Sequence, residues 1–574
     1  MPDPLSLSVA QLRAACIAGS VTPTAVVEAV LARNAEVGDP AIWITAPDAA
    51  ALRRRAAELE ALPTGARSLL PLFGIPFAVK DNIDVAGMPT TAACPGFAYS
   101  PDRNSVVVQR LLDAGAIAVG KTNLDQFATG LVGVRSAYGV PRNAFDARYV
   151  PGGSSSGSAI AVARGLAMFA LGTDTAGSGR VPAGFNNLVG LKPSRGILSN
   201  EGVVPACRSL DCVSIFARSA EDARAAFEAA VGSTAQEPYG RPFAAASLPG
   251  WTGLRVGVPT EPEFFGDAGY ARLYAGAVER ARALGATVVA VDFAPFAEIA
   301  ASLYAGPWVA ERYAAVGDYI AANPDAVHPT TRRIIGGAAG MLASDAFKAM
   351  YRHETLRRRC DAILAGIDVL LVPTAPTIPT LADLEADPLG PNTRLGTYTN
   401  FVNLLDLAAI AVPAGFRDDG MPFGVTLIAA PMTDLSLLEL GAAWQGTIEL
   451  AVVGAHLEGQ PLHHELEGAP RLRRTTTAPT YRLYALSGTR PPKPGIVRVE
   501  SGGAAIEVET YALTAEAFGR FVARVPPPLA IGSLELAGGS WVKGFVCEPA
   551  ALAAAEDITA FGGWRAYRKA AAGG

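Results

Sequence analysis

The sequence predicts an α/β protein in which a large mixed β-sheet lies between helices, followed by a small, strand-rich α+β domain. Three observations predict this. Short apolar runs of strand length, such as Phe73–Val79, Ala167–Leu171 and Ile367–Val372, alternate with stretches of helical period, the order expected of a layered sheet. The chain has 574 residues, 50% of them hydrophobic and 18% charged, which is too long for one ordinary core and too apolar for a disordered chain. Around residues 458–480 the composition turns polar and Pro-bearing (EGQPLHHELEGAPRLRRTTTAPT), the mark of a linker.

In chain order, residues 6–36 carry apolar residues at helical period, and Thr22-Pro23 reads as the cap and first position of a second helix. Ala49–Ala61, rich in Arg and Glu, is another predicted helix. The strand Phe73–Val79 comes next, then a helix over Ser105–Ala114 and a strand over Ile117–Gly120. Lys121–Gly130 (KTNLDQFATG) reads as a loop and helix, and Leu188–Pro193 as a strand. Ser233–Gly250, rich in Gly, Pro, Ala and Ser, is expected to loop over the surface. Strands at Leu254–Val258 and Thr287–Val291 flank a helix over Tyr270–Leu284. Ile367–Val372, Ile410–Val412 and Pro422–Ile428 complete the sheet, and Ser436–Trp444 starts a last helix. Residues 1–457 thus form one layered domain and 458–480 the linker. Residues 481–574 form a second domain whose apolar segments (YRLYALSG, IVRVE, AIEVETYAL, VKGFVCE) read as strands.

The chemistry concentrates in Tyr149–Arg180. A turn, Gly152–Ser158 (GGSSSGS), precedes an Ala-rich helical run and an apolar strand, and a second turn of small residues follows at Thr175–Gly179. A turn–helix–strand–turn folded back on itself brings its two Ser-bearing turns together. Consecutive backbone N–H groups at Thr175–Ser178 can form an anion-binding nest, the geometry an oxyanion hole needs. Most Gly/Ser clusters are loops or linkers, but here apolar runs flank both turns. The phosphate-cradling pattern GxxxxGK[ST] is absent. An α/β-hydrolase elbow can be read at Gly153–Gly157, yet it requires a downstream Asp and then a His, and the first His is His328. A base is available upstream instead. Lys80 follows an apolar strand, where burial lowers an ammonium pKa towards neutral; the alternative is a Lys snorkelling from a strand end.

Composition excludes several classes. The formal net charge is −5 and no Lys/Arg stripe appears, which argues against nucleic acid or an anionic membrane as partner. The six Cys (16, 94, 207, 212, 360, 547) include no CxxC pair and form no spaced metal set with the five His, so neither disulfides nor a metal are expected. The N-terminus lacks a basic and apolar leader, and no apolar run reaches membrane-spanning length, so a cytoplasmic protein is expected.

A Lys after GIPFAV, then GGSSSGS, then GTDTAGSGR resembles the amidase signature family, with 74 residues from Lys80 to Ser154 and 24 from Ser154 to Ser178. The resemblance extends loosely over residues 1–455. It implies the amidase signature fold and a Ser–cis-Ser–Lys triad in which Ser178 is the nucleophile, Ser154 the relay and Lys80 the base. The backbone of Thr175, Ala176, Gly177 and Ser178 would form the oxyanion hole, and no metal or organic cofactor is implied.

Beyond the linker, Tyr484–Gly488, RPPKPG and AEDITAFGGWRAY resemble the C-terminal domain of the allophanate hydrolases, itself similar to the γ-glutamyl cyclotransferase-like fold. Over the whole chain the resemblance implies hydrolysis of allophanate (urea-1-carboxylate) to ammonia and carbon dioxide. A site for this small anion calls for an Arg, whose planar fork pairs with a carboxylate. The resemblance assigns substrate binding to Tyr304 and Arg312; the other reading of Arg312 is a surface ion pair with Glu311. Gly130–Gly133 (GLVG) reads either as backbone placed near the scissile group or as a simple turn. His456 (VVGAHLEG) is the C-terminal candidate for processing the N-carboxycarbamate left when the first ammonia departs; the other reading is a plain linker or interface His. A homodimer and a functional link to a urea carboxylase or a biuret hydrolase are also implied. Two rival functions stay open: another small-amide amidase, acting on malonamate or an aryl amide, and the amidase subunit of a tRNA amidotransferase.

Overall fold

The strand that carries Lys80 lies inside an eleven-stranded sheet, and its sequence explains why. In the computed structural model, which describes residues 3–466, 469 and 471–572, most of this sheet belongs to the first of two compact units, Met1–Asp267, Val289–Pro413 and Pro422–Ala442. Its strands are β1 (Trp43–Thr45), β2 (Pro76–Lys80), β3 (Ile117–Thr122), β4 (Phe169–Asp174), β5 (Val189–Lys192), β6 (Cys212–Ala217), β7 (Arg255–Pro259), β8 (Thr287–Val291), β9 (Val369–Pro373), β10 (Ala408–Phe416) and β11 (Pro422–Ala429). Their spatial order is β1-β3-β2-β4-β6-β5-β10-β11-β9-β7-β8. The sheet is mixed: β2 runs parallel to β3 and β4, whereas β4 pairs antiparallel with β6 and β11 with β9. Every residue of β2, β4, β6 and β11 is buried, so both faces of these strands are covered, which is why they read as continuous apolar runs and not as alternating ones.

Two local details differ from the sequence expectation and bear on the site. The strand predicted over Phe73–Val79 starts at Pro76 and ends on Lys80, so Lys80 is a strand residue and not the residue after one. Lys121–Gly130 holds no α-helix beyond β3, only a 3₁₀ turn at Gln126–Ala128 with Phe127 and Ala128 at φ 52° and 51°. The cause is Asp125, whose buried carboxylate accepts the backbone N–H groups of Gly133 and Arg135 at 2.9 Å each and pulls the chain into a closed loop.

The second unit comprises Ala268–Val288, Ala414–Met421 and Ala443–Gly574. It adds β12 (Thr447–Val452), β13 (Arg471–Thr476), β14 (Tyr481–Ala485), β15 (Pro494–Arg498), β16 (Glu507–Thr514), β17 (Leu529–Glu535), β18 (Trp541–Cys547) and β19 (Glu556–Asp557). These form a five-stranded sheet, β13-β16-β12-β18-β17, and a three-stranded one, β15-β14-β19. Two sequence expectations shift here. Residues 471–476, read as linker, are a strand paired with β16, with Arg474 bonded to Glu509 of that strand and Arg473 to Glu449 of β12 beyond it. Thr447–Val452, placed with the first domain, pairs with β16 and β18. The predicted helix at Tyr270–Leu284 forms as Ala268–Ala283, and its Gly276 faces the backbone of Arg471 and Leu472. Glu467, Gly468 and Pro470 of the expected linker lie outside the described residues. No helix among the described residues is long and apolar enough to cross a membrane.

Candidate active site

Lys80 sits at the C-terminal end of β2 with no exposed surface. Its Nζ lies 2.8 Å from Ser154 Oγ and 2.7 Å from Thr173 Oγ1 on the adjacent β4. Burial drives its pKa down from 10.5 to about 7, against the raising influence of Asp125, Asp174 and Asp211. The side-chain amide of Asn82 also donates to Thr173 Oγ1, at 3.3 Å. Thr173 and Asn82 are site residues that the sequence does not single out; Thr173 lies inside the GTD motif, but nothing about a Thr on a strand announces a contact with a Lys 93 residues away. A neutral amine here has a lone pair for the Ser154 proton while one of its N–H groups goes to Thr173.

Ser154 follows a cis peptide bond from Gly153 and precedes the buried helix Ser156–Ala163. Position 153 admits no side chain: a Cβ there would lie 2.1 Å from Asp125 Oδ2 and 2.5 Å from the Gly133 nitrogen. The loop shaped by Asp125 and the turn bearing Ser154 are therefore pressed together, and the Asp125 N–H donates to the Ser154 carbonyl at 3.0 Å.

The second turn is held by Asp174, the last residue of β4. Its carboxylate accepts the N–H groups of Gly177 and Gly179 at 2.8 and 3.0 Å and pairs with Arg180 through two contacts of 2.9 Å, both side chains fully buried. Burial, the largest single influence, would raise the Asp174 pKa, but Arg180 together with Lys192 and the Gly179 N–H outweighs it and the carboxyl is held below its ordinary value. The Gly177 N–H thus already donates to Asp174 in this structure. The N–H groups of Thr175, Ala176 and Ser178 have no hydrogen-bond partner among the described residues. Gly177 is fixed from its other side too: at φ 137°, a Cβ would come 2.5 Å from Thr399 Oγ1. Thr175 is tethered by its hydroxyl to the buried carboxylate of Asp211, another residue that the sequence does not single out.

Ser178 Oγ donates to the carbonyl of Gly130 at 3.4 Å, and no hydrogen bond joins Ser154 to Ser178 among the described residues. The loop around Gly130 is where the predicted substrate residues arrive. Tyr304 lies in the last turn of the helix Ala294–Ala305, and Arg312 in the following helix, Trp308–Ala322. Arg312 is buried, with its guanidinium 5.3 Å from the centroid of the Tyr304 ring. Nη1 donates to Ala128 O at 3.4 Å and Thr129 Oγ1 at 3.2 Å, and Nη2 to Tyr304 Oη at 3.5 Å, all long contacts. Its Nε has no partner among the described residues. No carboxylate lies within ion-pair distance of Arg312 among the described residues. Glu311, its sequence neighbour, accepts the N–H and hydroxyl of Ser209 instead. Burial lowers the Arg312 pKa, but Tyr304, Cys207, Asp211 and Glu311 together raise it further, so the cation is firmly kept.

His456 lies in the second unit. Its Nε2 is 2.8 Å from Glu465 Oε2, and its ring stacks on Phe545 at 5.1 Å and meets Phe521 edge-on. Burial lowers its pKa while Glu465 opposes the shift. All six cysteines are free and buried, and among the described residues no cluster of His, Cys, Asp and Glu could hold a metal ion.

Residues 25–438 match the Amidase family and residues 448–569 the Allophanate hydrolase C-terminal domain. The urea amidolyase of Saccharomyces cerevisiae is 47% identical over 545 residues, which cover 87% of this chain but 30% of that protein. The chain thus spans about a third of the length of the urea amidolyases it matches. A glutamyl-tRNA(Gln) amidotransferase subunit of Symbiobacterium thermophilum is 37% identical, over 76% of this chain and 96% of that one. A Kluyveromyces lactis allophanate hydrolase structure superposes with a TM-score of 0.72 at 43% identity, covering 99% of both chains. The chain belongs to the amidase family: it is an amidohydrolase whose amidase signature domain is followed by an allophanate hydrolase C-terminal domain.

Proposed function

We propose that the protein hydrolyses allophanate, with Ser178 as nucleophile, Ser154 as proton relay and Lys80 as base. The observation that carries the substrate reading is Arg312, a buried cation without a carboxylate partner. It is held against the loop whose Gly130 carbonyl takes the Ser178 hydroxyl. A buried unpaired charge is costly unless an anion completes it. Allophanate carries a carboxylate at one end and its scissile amide at the other. With the carboxylate on Arg312 and Tyr304, the amide carbonyl reaches the Ser178 turn. The Ser178 hydroxyl leaves Gly130 and turns to Ser154 Oγ. Neutral Lys80 takes the Ser154 proton, Ser154 takes that of Ser178, and Oγ attacks the carbonyl. The free N–H groups of Thr175, Ala176 and Ser178 receive the oxyanion, each such donor contributing roughly 3–4 kcal/mol. Ammonia leaves with a proton returned through the relay, and water then releases N-carboxycarbamate from the Ser178 ester.

The C-terminal unit is the proposed site for that product, with His456 and Glu465 as a paired acid–base group over Phe545. The urea amidolyase relatives support a urea carboxylase as source of the substrate, with a biuret hydrolase as the other source. A cytoplasmic homodimer completes the proposal. Against the amidotransferase reading stands the extent of that relative, which matches 76% of this chain at 96% of its own length.

The proposal is tested by steady ammonia release from allophanate by the purified single chain without tRNA. Release only in the presence of a partner chain would sink it. Arg312→Lys is expected to raise KM for allophanate by about tenfold or more, since one ammonium cannot reproduce a planar fork. The loss should be much smaller for neutral propionamide, so the ratio of the two kcat/KM values decides. Equal losses would make Arg312 a structural residue.

A further inference from the structure

We propose that Arg135 is a second cation of the substrate site, set behind the Ala128–Gly130 loop to offset Asp125, so that the site accepts an anionic amide in preference to a neutral one. This rests on the carboxylate-binding role given to Arg312. Arg135 is 2% exposed, and its guanidinium donates to Thr129 O at 3.0 Å and Pro388 O at 3.1 Å. Arg312 holds the same loop through Ala128 O and Thr129 Oγ1. Two buried guanidiniums therefore grip the loop next to Ser178, and neither has a carboxylate within ion-pair distance among the described residues.

Asp125 makes the second cation necessary. Its carboxylate shapes the loop by accepting two backbone N–H groups, so it cannot be dispensed with. It lies against Gly130, where a Cβ would be 2.5 Å from Asp125 Oδ2 and 3.1 Å from Arg135 Nη1. A substrate carboxylate drawn to the loop that Arg312 holds thus approaches the buried Asp125 carboxylate, and like charges repel strongly away from water. Arg135, whose Nη1 lies on the same side of Gly130 as the Asp125 carboxylate, sets a positive charge against it. If its only task were to brace two carbonyls, a neutral donor would serve without the cost of burying a cation. Burial does lower the Arg135 pKa, with Asp125 and Tyr304 opposing.

The test uses two isosteric ligands, malonamate (anionic) and malonamide (neutral), as competitors of allophanate hydrolysis by the full chain. Wild type is expected to bind malonamate in preference. In Arg135→Gln the ratio of the two inhibition constants should fall by about tenfold, as for loss of one nearby charge. Arg135→Lys should keep the ratio within about threefold even if both ligands weaken. Unfolding midpoints confirm that each variant is folded; should the Gln variant fail to fold, a lost ratio in folded Arg135→Lys would overturn the proposal. Equal weakening of both ligands in Arg135→Gln, or an unchanged ratio, would also overturn it. If the ratio falls in Arg312→Lys but not in Arg135→Gln, Arg312 keeps its role and Arg135 is a brace. No preference in wild type would instead defeat the Arg312 reading itself.

Discussion

Replacing Ser178 with Ala is expected to give a folded protein with kcat/KM for allophanate down by at least about four orders of magnitude, as when a hydrolase loses its nucleophile. Folding should survive because the hydroxyl makes one hydrogen bond of 3.4 Å, and such a bond is worth about 1 kcal/mol or less. Turnover should not, because no neighbour can stand in. Ser155 Oγ donates to the Thr173 carbonyl and Ser156 Oγ to that of Asn123. Cys207 is buried, and burial pushes its thiol up to about 12. Ammonia release and a denaturant midpoint on the same preparation check both halves. Residual activity within about a hundredfold of wild type would mean that Ser178 is not the attacking group.

The second large effect concerns stability. Arg180→Met should destabilise the protein by about 3–5 kcal/mol, the usual result of removing one partner of a buried ion pair. Asp174 and Arg180 are both fully buried, and the carboxylate also holds the N–H groups of Gly177 and Gly179. Without its counter-ion the carboxylate must either stay charged and unpaired or take up a proton, and in both cases the turn that presents Ser178 loosens. A double variant, Asp174→Asn with Arg180→Met, should recover part of the loss because no unpaired charge remains. Denaturant unfolding of the three proteins decides; a loss below about 1 kcal/mol for Arg180→Met would mean that the pair contributes little.

Much of the fold and the site is legible in the sequence. The strands read as strands because β2, β4 and β11 are buried on both faces and so carry unbroken apolar runs. The Gly/Ser turns and Lys80 announce themselves as small-residue clusters and a charge at the end of such a run. What the sequence hides is of another kind. That Thr173 touches Lys80, that Asp174 occupies the Gly177 N–H, and that Asp211 tethers Thr175 are consequences of tertiary approach, without local periodicity or spacing to betray them. The loop at Asp125–Gly130 reads as partly helical because its helix-friendly residues are overruled by one buried carboxylate. Residues 471–476 look like linker because strand residues that pair through Arg–Glu contacts are as polar as a linker.

The most direct test of the proposed triad is the pH dependence of the rate at which a sulfonyl fluoride labels the enzyme, with the labelled residue found by mass spectrometry. Lys80 has a depressed pKa of about 7, so below that pH it is protonated and cannot accept the relayed proton, and above it the amine is free. The expected result is a label on Ser178, a rate that rises through about pH 7 to an alkaline plateau, and in Lys80→Met a rate at least about a hundredfold lower without that inflection. A label on another residue, or a rate in Lys80→Met that keeps the wild-type inflection, would contradict it.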